Sequence, residues 1–133
     1  MERKIISTAA FFGMTAVILG AFGAHALKKV LDLEQLATFE TGVKYQMYHA
    51  LFLLFVGLSN TLSEQKKKVI FYFVVFGIIF FSGSIYLLAT DRMNEFNFKV
   101  IGFVTPIGGL LLIVAWALLL LGFVNKKSQN SQN

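Results

Sequence analysis

Two histidines, His25 and His49, have the widest chemical repertoire in this chain, since an imidazole can bind a metal, move a proton or accept a hydrogen bond. Around them stand hydroxyls and one amide. Thr41, Tyr45, Gln46 and Tyr48 precede His49 in "TGVKYQMYHALFLLFVG", Ser82, Ser84 and Tyr86 lie in "FSGSIYLL", and Thr105 belongs to "TPIGG". A zinc site commonly needs three or four protein ligands, which would enlist Glu40 or Asp91 beside the two histidines. A Ser/His/acid set would need an acid at the depth of the serines, and Asp91 falls past the apolar run that holds them. Cysteine is absent, which excludes disulfides, thiolate ligands and thiol nucleophiles. No HExxH, P-loop or dinucleotide fingerprint occurs. The residue types therefore predict no catalytic residue, no metal and no cofactor, and leave a polar cluster to be explained.

The elements that must carry this cluster follow from composition. Of 133 residues, 56% are hydrophobic and 14% charged, with 15 Phe; a soluble domain carries about 25% charged residues. The predicted fold is all-α, an integral membrane four-helix bundle. Four apolar stretches, at about 5–27, 43–62, 69–89 and 100–124, approach or exceed the roughly 20 residues that cross a bilayer. Long apolar runs whose backbone must satisfy itself in lipid are helices. Residues 1–124 form one domain on this reading, and the polar tail 125–133 is expected to be disordered. "MERK" and the apolar run to Ala26 resemble a secretory signal, but a run of about 20 residues exceeds the usual 7–15 of such a segment. The run is accordingly expected to stay as the first span.

Charge sets the orientation. Arg3, Lys4, Lys66, Lys67, Lys68, Lys126 and Lys127 share one side of the membrane, against Lys28, Lys29, Lys44, Arg92 and Lys99 on the other. The basic excess marks the cytoplasm, so both termini are expected inside. The acids Asp32, Glu34, Glu40, Asp91 and Glu95 balance the outer side, which leaves the whole +5 net charge on the inner one. Lysines beside anionic headgroups account for the basic balance, and no nucleic-acid partner is called for.

With that orientation the polar residues fall in the outer half of the bilayer, because His25 ends the first span, Tyr45 to His49 begin the second, Ser82 to Tyr86 end the third and Thr105 begins the fourth. At about 100° per residue, Thr41, Tyr45, Gln46, Tyr48 and His49 share an inward arc, opposite Val43, Met47, Ala50, Leu51 and Leu54. The cluster is expected to connect to His25, the serines or the Thr105 region. It reads either as a structural clamp or as a ligand-facing layer. Small residues predict close packing: Ala16, Gly20 and Ala24 with Gly13 on the first helix, and Gly102, Pro106 and Gly109 on the fourth. Pro106 would free the carbonyl of Gly102 and bend the helix. Asp32 and Gln35 make a capping-box pattern before an amphipathic stripe, Leu33, Leu36 and Ala37. A short amphipathic helix between spans one and two is expected there, lying on the surface or running on through Gly42.

"GAFGAHAL", "FETGVKYQMYHALFLL", "FSGSIYLL" and "TPIGG", in this order and spacing, resemble the family of small membrane proteins known as domain of unknown function 423. The resemblance extends to about Val124 and implies a compact four-span bacterial inner-membrane protein, with no activity, cofactor or catalytic residue to carry over. The functional expectation is a binding or accessory module that partners membrane lipid, a second copy or another membrane protein. The alternative is a small transporter or permeation subunit, which would need a polar path through both leaflets.

Overall fold

The computed structural model describes residues 1–90 and 101–125 in full, with only the backbone path given for 98–100 and 126–132. Helix α1 spans Glu2–His25, α2 Leu33–Leu58, α3 Glu64–Ala89 and α4 Val104–Gln132, with 3-10 turns at Leu27–Lys29 and Phe98–Phe103. No strand occurs among the described residues. The expectations for Asp91, Arg92 and Glu95, and for the tail beyond Asn125, lie outside the fully described residues.

Among the described residues three helical stretches, Glu2–Lys29, Glu64–Ala89 and Ile101–Asn125, are long and apolar enough to cross a membrane. Helix α2 is the exception. Its 26 residues reach about 39 Å at 1.5 Å per residue, ample for a span. Lys44, Tyr45, Gln46, Tyr48 and His49 dilute its apolar content, so its claim to cross rests on what it packs against. It lies between α1 and α3, and α4 lies against α3.

The expected surface helix and second span are one continuous element. Asp32 caps α2 by accepting from the Gln35 backbone N–H at 2.8 Å, while Gln35 Oε1 accepts from the Asp32 N–H at 3.3 Å. This reciprocal cap satisfies two N-terminal donors and starts the helix ten residues before the boundary set by hydropathy at Val43. Ser63 caps α3 through the Lys66 N–H. At the end of α2, the buried Lys67 donates from Nζ to the Gly57 carbonyl at 3.2 Å. A cation there complements the negative end of the helix dipole. Lys67 therefore does more than bias topology.

Among the described residues two apolar clusters lie toward the ends of the bundle. The larger, at the lysine-rich end, joins Ile5 and Ala9 to Leu53, Val56, Ile70, Val74, Leu112 and Ala115. The smaller, at the other end, comprises Leu27, Leu31, Phe39 and Ala89. The polar residues lie between them.

Close approaches are set by residues without side chains. A Cβ on Gly20 would meet Val43, one on Gly13 Ala50, and one on Gly23 would lie 3.0 Å from the Phe39 ring. With Ala16 buried, the small-residue ridge of α1 does face α2. Ala24 is exposed and takes no part; Gly23 has its place. On α4 the decisive glycine is Gly108, where a Cβ would fall 2.7 Å from the Phe80 carbonyl carbon and 2.8 Å from Phe81 Cα. Gly109 makes only ordinary contact with Phe81, and Gly102 has nothing within 4 Å. Nor does Pro106 fall in the interior of a helix. Pro106 stands in the first turn of α4, where the missing N–H would have had no helical partner.

Candidate functional site

Gln46 is the hub of the polar layer. Its Nε2 donates to the Phe12 carbonyl at 2.9 Å and to Thr15 Oγ1 at 2.7 Å, both on α1. Its Oε1 accepts from the Tyr86 hydroxyl on α3 at 2.6 Å. Three of the four hydrogen bonds that an amide can make are thus formed, and they join three helices through one side chain. Thr15, with no role assigned from sequence, completes the set by donating to the Phe11 carbonyl at 2.9 Å.

Two further links tie the helices. Ser82 donates to the Gly42 carbonyl at 2.8 Å. That carbonyl is reachable because a Cβ at Gly42 would collide with the Tyr86 ring at 2.7 Å. Ser84 donates to Phe81 O at 2.9 Å, so Thr105 supplies the proton in the 2.5 Å contact between Thr105 Oγ1 and Ser84 Oγ. That contact joins α3 to α4.

His49 is buried and takes a partner on each ring nitrogen. Nδ1 lies 2.6 Å from the Tyr45 carbonyl oxygen, and Nε2 accepts from the Trp116 indole N–H at 3.1 Å. The Trp116 ring also rests on Phe52, with centroids 4.3 Å apart.

Several expectations need correction. His25 is exposed at the end of α1 and makes no hydrogen bond to the cluster among the described residues. Thr41 is exposed and bonds only the Ala37 carbonyl of its own helix. Tyr45 and Tyr48 are 41% and 54% exposed, while Ala50, assigned to lipid, is 1% exposed. The buried arc of α2 is turned by roughly half a residue from the one inferred at 100° per residue. It keeps Gln46 and His49 and trades the tyrosines for Ala50 and Leu53. Nor do Gln46 and His49 meet the serines or Thr105; their partners are Thr15, Tyr86 and Trp116. Gln46 also stands further into the bundle than expected. Because α2 begins at Leu33, Gln46 stands about 20 Å along it, level with the middle of α1.

Every buried side-chain nitrogen or oxygen among the described residues has a hydrogen-bond partner. No group of three or more His, Asp or Glu could hold a metal ion among them. No buried polar side-chain atom of the cluster is left without a partner.

The family model described as "Protein of unknown function (DUF423)" matches residues 19–109. A UPF0382 membrane protein of Staphylococcus saprophyticus is 41% identical over 120 residues, covering 90% of this chain and 96% of the relative. One of Haemophilus influenzae is 37% identical, covering 96% and 99%. The UPF0382 inner membrane protein YgdD of Escherichia coli is 36% identical, covering 95% and 93%. No solved structure matches.

Proposed function

The chain belongs to the DUF423 family, and from that premise we propose that it is a non-catalytic accessory protein of the bacterial inner membrane with both termini cytoplasmic. It acts by packing its outer flanks against lipid, a second copy or another membrane protein. The observation that carries this reading is that every buried polar side-chain atom of the layer already has a hydrogen-bond partner. A substrate pathway needs polar groups free to replace hydration, and Gln46, His49, Ser82 and Ser84 spend theirs on neighbouring helices or on their own backbone. Toward the lysine-rich end the interior is Ile5, Leu53, Val56, Ile70 and Val74, which supports a closed bundle over a permeation subunit. Helices α1 and α4 bury the smaller shares of their apolar stretches. Phe11, Val17, Ile18, Leu110, Ile113 and Leu120 all face outward.

Reconstitution into sealed liposomes tests the reading. Release of entrapped ions and small polar solutes should match that of protein-free vesicles across a range of protein densities. Solute release that rises with protein density would overturn it in favour of a permeation subunit.

A further inference from the structure

At the lysine-rich end of the bundle a crevice of about 190 Å³ opens between α3 and α4. Val69, Leu118, Leu121 and Gly122 give it apolar walls, and the exposed Lys66 and Asn125 add polar groups to its lining. We infer that this crevice binds an anionic phospholipid of the adjoining leaflet, with an acyl segment against the wall and the headgroup phosphate at Lys66.

Size and charge both select this occupant. Pockets for whole drug-sized ligands run from about 300 Å³ upward, so the crevice fits a stretch of chain rather than a complete polar metabolite. It lies along helices that face lipid, where a hydrocarbon chain is the abundant apolar partner. Lys66 is exposed, and the only salt bridge among the described residues is the one from Lys67 to Glu64. Its ammonium is thus uncommitted. Lys66, Lys67 and Lys68 crowd the start of α3, the positive end of the helix dipole, where cations are disfavoured. Lys67 answers part of that conflict by capping α2; an anion at Lys66 answers another part. Gly122 shapes the recess, since a Cβ there would come within 2.9 Å of Leu62. The inference is independent of the accessory reading, and solute release in the liposome assay would leave it standing.

Native mass spectrometry of the full chain tests it after equilibration with equal amounts of phosphatidylglycerol and phosphatidylcholine of matched chains. The unaltered protein should retain phosphatidylglycerol about fivefold better, the size expected of one lysine near an anionic headgroup. Lys66→Gln should bring the two lipids close to parity, and Lys68→Gln, of equal charge but outside the crevice, should keep the preference. Val69→Trp, filling the crevice from its half-exposed lip, should lower retention of both lipids, with circular dichroism confirming that each variant remains helical. Equal effects of the two lysine variants would overturn the proposal in favour of a diffuse basic field. Retention unchanged by Val69→Trp would overturn it too, as would displacement of the lipid by millimolar inorganic phosphate, which would mark a free-anion site.

Discussion

The indole N–H of Trp116 on α4 donates to Nε2 of His49 on α2, at 3.1 Å. Tryptophan is a donor only, so Nε2 must be the bare nitrogen and Nδ1 must carry the proton that reaches the Tyr45 carbonyl. One neutral tautomer satisfies both ends. Nitrogen NMR of the reconstituted protein should therefore find Nδ1 protonated and Nε2 bare. Trp116→Phe should shift Nε2 and lower stability by about 1 kcal/mol, the scale of hydrogen bonds inside membranes. Finding the proton on Nε2 would contradict the link.

Glycine positions on α4 should differ sharply in tolerance. Gly108→Ala forces a methyl into the backbone at Phe80 and Phe81 and should cost about 1–3 kcal/mol, as overpacking does. Gly102→Ala has open space and should change little. Thermal unfolding in detergent measures both. Equal melting temperatures would mean that α3 and α4 do not approach as described.

Lys67→Met should destabilise the protein by about 1.5–3 kcal/mol, because it removes a charged hydrogen bond to the carbonyl end of α2. Lys68→Met, on an exposed neighbour, should have almost no effect on melting. If the two variants melt alike, Lys67 serves orientation alone.

Cysteines placed at the two ends report orientation. With the basic excess inside, Leu33→Cys, at a position 86% exposed, should react with an impermeant maleimide applied to intact cells. Ser128→Cys should react only after lysis. The reverse pattern would invert the topology.

Much of the frame was legible in the sequence because it rests on local chemistry. Apolar runs gave the helices, Asp32 and Gln35 gave the start of α2, and Gly13, Ala16 and Gly20 gave the face that α1 turns to its neighbour. Gln46 and His49 were legible as interior because buried amides and imidazoles need partners. Their partners were not. Lipid and bundle core are equally apolar, so periodicity locates the inward face only loosely. A half-residue turn exchanged Tyr45 and Tyr48 for Ala50 and Leu53. Which groups meet across helices depends on relative height, and the cap at Asp32 lowered Gln46 to the level of Thr15. The reach of Tyr86 follows from side chains leaning toward the helix N-terminus, and this only shows once α2 and α3 are in register. The Gly108 approach was hidden by Gly109 beside it, since two adjacent glycines offer two faces and only packing chooses between them.

The polar layer is held to be a lock that joins the helices, and the Gln46–Tyr86 bond at 2.6 Å is its most direct test. A double-mutant cycle of Gln46→Leu and Tyr86→Phe, read by reversible unfolding in mixed micelles, isolates that single contact. The account predicts a coupling of about 0.6–1.7 kcal/mol, within the measured range for intramembrane hydrogen bonds, with the Tyr86→Phe variant still helical. Strict additivity of the two substitutions would show that Gln46 and Tyr86 do not bond, and would contradict the lock at its hub.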